Sequence, residues 1–336
     1  MLVSVQVYSR DQRVGMKTSN ILLIGAGNIG FRYLQGILKS KLPIKIWVVD
    51  VNPEALQRAQ NLVEESPQRN IKLKAYLDLD FDQIEFNLAI ISTLADIRLR
   101  IVQEVRSKKR VGSFILEKVL TQSASDSVTL YEGLRDIDGA WINYPRRVIP
   151  IYKEIALNLC LIKSAEYIVS GENWNLASNS LHFIDVVEFI SGSTLKEIST
   201  NGLQTKWSQS RSGFYDVLGT LVCHFMDGSI LKLESKPFRS EKKSGILMRI
   251  EKNQLSLNID EELGVASGNL LKNDICGEIE LQSVISTRIV EQILINGQSE
   301  LTSLDAGTKS HLIFIEAMLK HWNQSNLTDS HCLPIT

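Results

Sequence analysis

A glycine-rich segment near the amino terminus restricts the fold more than any other part of the sequence. The segment 25–30 (GAGNIG) follows the fully apolar run 21–24 and precedes a stretch, 31–39, of helical character. The spacing G-x-G-x-x-G between a buried strand and a helix is typical of the first turn of a dinucleotide-binding sheet. The order strand, glycine turn and helix therefore predicts a doubly wound parallel sheet.

Each position of this segment has a physical reason. Gly25 allows a tight turn, Gly27 lets the backbone approach a pyrophosphate, and Gly30 lets the helix pack closely on the strand. The N–H groups of Asn28 and Ile29 belong to the helix start, where they are free to face an anion. We therefore expect these five residues to bind the cofactor.

Asp50 follows the next strand, 44–49, twenty residues after Gly30. A carboxylate at this position accepts hydrogen bonds from a ribose 2′-OH and repels a 2′-phosphate. Lys45 and Arg32 are the cations that would have to compensate such a repulsion. The sequence therefore favours NAD over NADP.

Strands and helices continue to alternate up to about residue 116, which predicts parallel pairing with right-handed crossovers. After about residue 160 the pattern changes to long β-rich stretches, 215–234 and 245–258, with helices expected near 180–190 and 307–322. This second half predicts an antiparallel sheet. The predicted fold class is thus a Rossmann-type α/β unit followed by an α+β unit.

We divide the chain into three parts on this basis. Residues 1–19 are interpreted as an N-terminal extension, whether translation begins at Met1 or at Met16. Residues 20–145 are assigned to dinucleotide binding, and residues 146–336 to substrate binding and oligomerisation.

The charge balance argues for a small-molecule partner. With 38 acidic and 37 basic residues the formal net charge is -1, which offers no general attraction for nucleic acid or anionic membranes.

Four cysteines are scattered without a C-x-x-C pair, so neither a metal site nor a disulfide framework is predicted. The sequence has no apolar run of membrane-spanning length and no secretory signal pattern, so a cytoplasmic protein is expected.

Further segments carry a resemblance to a known family. The glycine turn, Ile91-Ser92-Thr93, Leu116-Glu117-Lys118, and the stretches 143–150 and 179–185 are similar to segments of the Gfo/Idh/MocA oxidoreductases. That family is the glucose–fructose oxidoreductase and inositol dehydrogenase group. The similarity extends over nearly the whole chain from about residue 20.

The resemblance implies roles for individual residues. Lys118 matches a lysine that lies near the nicotinamide ribose and the reacting hydroxyl, and His182 matches a catalytic histidine at the start of a helix. Ser92, Thr93 and Glu117 match cofactor-binding positions. The implied activity is hydride transfer between NAD and a hydroxyl or ketone of a sugar, sugar nucleotide or cyclitol, with His182 exchanging the proton and the Lys118 ammonium favouring the alkoxide.

The sequence departs from the family pattern at three places. Val119 replaces a proline, Ser178 replaces an aspartate that often precedes the histidine, and Leu94 with Arg98 replace a proline and a histidine. We interpret Arg98 as a candidate ligand for an anionic part of the substrate.

Three more residues are candidates for the substrate pocket, namely Arg147, Ser178 and Asp185. Asp185 is also predicted to share a helical face with His182, where it would orient the ring, hold the helix or meet another subunit.

Two other functions remain open at this stage. In the first, the absence of the motif proline and aspartate indicates a regulator that binds NAD and a sugar without turnover. Imine or biliverdin-type reduction on the same architecture fits less well. The family resemblance also implies a homodimer or homotetramer, and the open face of an antiparallel sheet, which needs cover, supports this expectation.

Overall fold

The protein is described by a computed structural model that covers residues 17–160, 162–238 and 245–336. The proposed N-terminal extension lies outside these residues except for its last three positions. The described residues form two large sheets and one two-stranded pair. The predicted fold class is confirmed, because a parallel α/β sheet is followed by a mostly antiparallel sheet. Within the described residues, no helix is both long and apolar enough to cross a bilayer.

The first sheet has seven strands in the order β17-β8-β7-β5-β1-β2-β3, where β17 is Thr302–Ser303. All its pairs are parallel except the pair of β17 with β8. Helices α1 to α4 connect its strands, and β4 and β6 form a separate short pair. The strands are β1 (Ser19–Ile24), β2 (Ile44–Val49), β3 (Ile71–Tyr76), β4 (Glu85–Phe86), β5 (Leu88–Ile91), β6 (Arg110–Val111), β7 (Ser113–Leu116) and β8 (Gly139–Ile142). The helices are α1 (Asn28–Ile37), α2 (Pro53–Glu65), α3 (Ala95–Lys108) and α4 (Ala124–Leu134).

Local sequence signals explain how these elements begin. The central strand β1 is buried along residues 21–24, as expected for a strand covered on both faces. Helix α2 begins with Pro53 in its first turn, and the Asn52 side chain accepts the Glu54 N–H at 2.9 Å. This is the cap that the Asn-Pro-Glu sequence predicts.

The second sheet has eight strands in the order β10-β11-β12-β9-β13-β14-β15-β16. Its strands are β9 (Glu166–Glu172), β10 (Leu195–Arg211), β11 (Phe214–Phe225), β12 (Ile230–Lys236), β13 (Leu247–Lys252), β14 (Leu255–Asp260), β15 (Val265–Ser267) and β16 (Ile275–Cys276). The remaining elements are a 3-10 helix (Pro145–Val148), α5 (Pro150–Leu159), α6 (Leu176–Ser191), α7 (Gln282–Asn296), β17 (Thr302–Ser303) and α8 (Leu304–Asn326).

This sheet differs from the expected antiparallel sheet in one pair, because β9 and β12 are parallel. A parallel pair needs a long crossover connection. Helix α6 and the β10–β11 hairpin lie between these two strands in the chain and supply it.

The C-terminal part of the chain returns to the first sheet. Strand β17 pairs with β8, α7 packs on α1, and α8 packs on α4. The approach of α7 to α1 is close, since a Cβ at Gly36 would lie 2.7 Å from the Ser283 carbonyl oxygen. Elements assigned by sequence to residues 146–336 thus also complete the edge of the first sheet.

Candidate active site

The glycine turn is held by the strand on either side of β1. Gly25 has a φ of +92°, and its N–H donates to the Val49 carbonyl at 2.9 Å. The Ser92 hydroxyl, at the end of β5, donates to the carbonyls of Ile24 at 3.0 Å and Gly25 at 2.7 Å. A Cβ at Gly30 would lie 1.8 Å from the Gly25 carbonyl oxygen, so this position has room only for glycine.

Gly27 serves the turn differently. A Cβ built there would meet no atom of the described residues within 4 Å, so glycine is not required by the protein's own packing. The first helical hydrogen bond runs from the Phe31 N–H to the Gly27 carbonyl at 2.9 Å. The N–H groups of residues 28–30 therefore precede the helical ladder and are available to a ligand.

The Asp50 carboxylate lies against this turn. Its Oδ2 accepts the Ala26 N–H at 2.5 Å, and its Oδ1 accepts the Asn52 N–H at 2.8 Å. Sequence analysis did not single out Arg58, which donates to the Ala26 carbonyl at 3.0 Å and stacks 4.6 Å from the Phe31 ring centroid. Only the folded structure shows that this α2 side chain reaches the turn.

A cleft of about 870 Å³ extends from the glycine turn to helix α6. Asp50 lines it at one end, and Lys118, Asn179 and His182 line it at the other. Its size lies within the range of about 300–1,000 Å³ that is typical of small-molecule sites. Lys45 and Arg32, the cations considered for NADP, lie outside this lining.

Lys118 lies just after β7, at the α6 end of the cleft, and its peptide bond to Val119 is cis. The Nζ atom donates to the Ser178 carbonyl at 2.9 Å and to Asn179 Oδ1 at 3.3 Å. Burial, reinforced by the nearby arginine charges, lowers the pKa of Lys118 to about 8, although Glu117 opposes the shift. The amine can therefore gain or lose a proton near neutral pH.

His182 lies on α6 and faces the same cleft. Its ring packs edge-on against Tyr144, with 5.9 Å between centroids. Burial, together with the charges of Lys118 and Arg146, holds the pKa of His182 well below its usual range. Its buried Nδ1 atom has no hydrogen-bond partner within the described residues. The imidazole is thus neutral.

Glu117 is buried beside Lys118. The Asn143 side-chain amide donates to Glu117 Oε1 at 2.7 Å, which fixes the carboxyl group. Burial raises the pKa of Glu117, while Asn143 and the charges of Arg98 and Lys118 oppose the shift. Asn143 belongs to the stretch 143–150 that carries the family resemblance, but no individual role was assigned to it from sequence.

The structure shows which groups the Arg98 side chain contacts. Its side chain is 1% exposed, and its terminal nitrogens donate to the carbonyls of Thr93, Val119 and Leu120. These bonds join the end of β5 to the segment after Lys118. Because both terminal nitrogens are engaged by backbone, Arg98 positions this segment. The residue also lines the cleft, and its role as a ligand for an anionic part of the substrate stays a prediction.

Arg147 and Asp185 pair with each other, which fits one of the three roles expected for Asp185, that of holding the helix. They form a two-point ion pair, with Nε–Oδ2 at 2.9 Å and Nη2–Oδ1 at 2.7 Å, and Thr302 donates a further bond to Asp185. Both lie outside the lining of the cleft. Their mutual pairing leaves them a structural role in holding α6. Ser178 contributes its backbone carbonyl to Lys118, not its side chain.

A buried carboxylate, Asp216, holds the start of α6. Its Oδ1 accepts the Ala177 N–H at 2.6 Å. Burial raises the pKa of Asp216 to about 6, although backbone N–H groups oppose the shift. Because the folded pKa exceeds the ordinary 3.8, the stability that this group contributes is present below about pH 4 and is lost as the pH rises through 6.

We therefore expect Asp216→Asn to raise the free energy of unfolding by about 1–2 kcal/mol at pH 8, relative to the unchanged chain. At pH 4 the difference should shrink, because the aspartic acid is then protonated. Thermal or urea unfolding at both pH values measures this. If Asp216→Asn changes the free energy of unfolding by the same amount at pH 4 and pH 8, the raised pKa of Asp216 is contradicted.

Comparison with known proteins finds structures of the same fold but no matching sequence family. No family profile matches the sequence, and no curated protein is significantly similar to it. Solved structures match over nearly the whole chain. An oxidoreductase from Agrobacterium radiobacter, in complex with NAD+, L-tartaric acid and magnesium, has a TM-score of 0.69 and 15% identity over 90% of this chain and 96% of its own.

Two further structures are similar to the same degree. A levoglucosan dehydrogenase with NADH and L-sorbose has a TM-score of 0.69 and 13% identity, covering 92% of this chain and 98% of its own. UDP-N-acetylglucosamine 3-dehydrogenase from Acidithiobacillus ferrooxidans has a TM-score of 0.69 and 14% identity, covering 92% and 100%. The fold is shared with NAD-binding oxidoreductases.

Proposed function

We propose that this protein is an NAD-dependent oxidoreductase of the Gfo/Idh/MocA type. It transfers a hydride between the cofactor and a hydroxyl or ketone of a sugar, sugar nucleotide or cyclitol. The observation that carries the proposal is a single cleft that joins the glycine turn and Asp50 to Lys118 and His182. Support also comes from the dehydrogenases of the same fold, whose structures contain NAD or NADH.

The residues of the turn fit this cofactor. The open space at Gly27 and the N–H groups of 28–30 suit a pyrophosphate, and Asp50 suits an adenosine ribose with a free 2′-OH. Ser92, Thr93 and Glu117 complete the cofactor side of the cleft. Bound there, NAD supplies the acceptor or donor of the hydride.

The electrostatics favour Lys118 as the group that exchanges the substrate proton. Its pKa of about 8 is close to the working pH, which favours proton transfer in both directions. Neutral His182 serves as a hydrogen-bond partner that orients the reacting hydroxyl, because a second positive charge beside Lys118 is unfavourable. The family resemblance implied the opposite roles, with His182 exchanging the proton and Lys118 favouring the alkoxide.

The cofactor assignment is tested by Asp50→Asn. The amide keeps an oxygen that can accept the Ala26 N–H but removes the charge that repels a 2′-phosphate. We expect the preference for NADH over NADPH to fall by about tenfold, equivalent to about 1.4 kcal/mol. Fluorescence titration with both nucleotides measures this.

The exposed Asp82 provides a matched control, since it lies outside the cleft lining. Asp82→Asn should leave both affinities unchanged. If Asp50→Asn binds NADPH no better relative to NADH than the unchanged chain, the role assigned to Asp50 is wrong.

We also propose a cytoplasmic homodimer or homotetramer. Helices α5, α6 and α8 pack on the second sheet. The opposite face of this sheet carries Arg249, Ile168 and Lys232, which are neighbours on the adjacent strands β13, β9 and β12. Such a mixed face is suited to contact with a second copy. Light scattering coupled to size-exclusion chromatography tests this association.

A further inference from the structure

Arg211 is a cation at the end of the cleft that no part of the proposed chemistry uses. It is the last residue of β10 and pairs with Phe214 across a tight turn, in which Gly213 has a φ of +79°. Its guanidinium carbon lies 5.1 Å from the Phe214 ring centroid, and the residue lines the cleft together with Lys118 and His182. The hairpin thus presents an arginine at the end where the sugar is expected.

The buried segment 333–336 fixes the position of this hairpin. The Tyr215 N–H, one residue after Phe214, donates to the Pro334 carbonyl at 2.8 Å. The same segment contacts the first half of the chain, because the Ala95 N–H donates to Thr336 Oγ1 at 2.9 Å and Thr336 lines the cleft. Segment 333–336 therefore connects the hairpin tip, through these hydrogen bonds, to the start of α3 across the cleft.

Arg211 differs from the neighbouring arginines in its charge balance. Arg146 is paired with Glu261 and Arg147 with Asp185, whereas Arg211 has no ion-pair partner within the described residues. Its positive charge is close enough to contribute to the lowered pKa of Lys118. The Glu117 carboxyl group, beside Lys118 on the cofactor side of the cleft, is buried and engaged by Asn143. The sugar end of the cleft therefore carries positive charge that the protein does not neutralise.

We propose that Arg211 is a specificity residue that binds an anionic group of the substrate, so that the preferred sugars carry a carboxylate or a phosphate. The planar guanidinium matches either group with two parallel hydrogen bonds. Stacking on Phe214 limits its rotation and leaves the N–H groups at the edge free. This inference rests on the proposed function for the position of the sugar.

The test uses the full chain loaded with NADH, whose fluorescence reports binding in the cleft. D-glucuronate, D-glucose 6-phosphate and D-glucose are titrated separately, so that a carboxylate, a phosphate and a neutral sugar are compared. We expect at least one anionic sugar to bind about tenfold more tightly than glucose, as a charge-assisted bidentate contact provides. This preference should weaken at high salt.

Three variants locate the effect. Arg211→Gln should abolish the preference and leave glucose and NADH affinities unchanged, and Arg211→Lys should keep part of it. Lys206→Gln removes an exposed cation from the same strand, outside the cleft lining, and should change nothing.

Two results would overturn the proposal. One is a protein whose affinity for glucose equals its affinity for both anionic sugars, or that binds none of the three sugars. The other is an Arg211→Gln variant whose NADH affinity falls, because the arginine would then contact the cofactor. Failure of the unchanged chain to bind NADH at all would instead reject the proposed function, so the two failures can be distinguished.

Discussion

Replacing Lys118 with methionine is expected to lower turnover about 100- to 10,000-fold, the usual contribution of a general acid or base. Methionine fills similar space but cannot hold or release a proton. Lys118 contacts Ser178 and Asn179 on α6, away from the glycine turn, so NAD affinity should stay within about twofold. Steady-state kinetics and nucleotide titration measure both quantities on the same sample.

The pH profile gives this prediction its specificity. Because burial lowers the pKa of Lys118 to about 8, oxidation should speed up as the pH rises through this value and the neutral amine forms. Lys118→Arg keeps a positive charge at every pH and should lack both the rise and most of the activity.

His182→Gln serves as the comparison. The imidazole is already neutral, so its loss should reduce the rate while the rise near pH 8 remains. A Lys118→Met enzyme with normal turnover, or a profile whose midpoint near pH 8 disappears in His182→Gln, would contradict this division of roles.

The second large effect is expected at the glycine turn. Gly30→Ala should lower the free energy of unfolding by about 3 kcal/mol, the upper part of the range for overpacking, because the added Cβ meets backbone that cannot move aside. The contacted atom is the Gly25 carbonyl oxygen, so the turn itself is displaced. Cofactor binding should be lost together with stability.

Gly27→Ala separates these two consequences. Its Cβ would enter open space in the cleft, so the free energy of unfolding should be unchanged. NAD affinity should nevertheless fall about tenfold or more, because the methyl group occupies the path of the pyrophosphate.

Gly133→Ala is a matched control in the exposed part of α4, where a Cβ meets no described atom within 4 Å. It should keep NAD affinity and raise stability by up to about 1 kcal/mol, since alanine is the better helix former. Urea unfolding and nucleotide titration of the three variants test the series. Equal stability of Gly30→Ala and Gly27→Ala would refute the packing argument.

Much of the first half could be predicted from sequence because its signals are local. The apolar run, the glycine spacing and the cap at Asn52 act within a few residues, and they predicted β1, the turn and α2. Lys118 and His182 were found by their motifs, and the structure brings both into one cleft.

The remaining features depend on distant pairing, which local patterns do not encode. His311 on α8 accepts the Leu120 N–H at 3.1 Å and so holds the segment after Lys118, although the two are 191 positions apart. Burial lowers the pKa of His311 to about 3, so the ring stays a neutral acceptor. No spacing rule could have indicated this contact.

The partners of Arg98 and Arg147 show the same limit. Arg98 stands where the family often has a histidine, and Arg147 lies in the stretch 143–150 that carries the resemblance, so each is a candidate substrate ligand from sequence. The structure gives Arg98 backbone carbonyls and Arg147 the Asp185 carboxylate as partners. It also places Arg211, on an unremarkable strand in sequence, in the lining of the cleft. Which charge faces a cleft is decided by folding partners that the linear pattern does not show.

The central claim is hydride transfer, and absorbance of the reduced nicotinamide tests it most directly. The protein is mixed with NAD and then with separate pools of neutral, acidic and phosphorylated sugars, cyclitols and sugar nucleotides. We expect a rise in this absorbance with at least one pool, and no rise with the same pool in Lys118→Met. Binding of NAD without any change across all pools would contradict it and would favour a protein that binds cofactor and sugar without turnover.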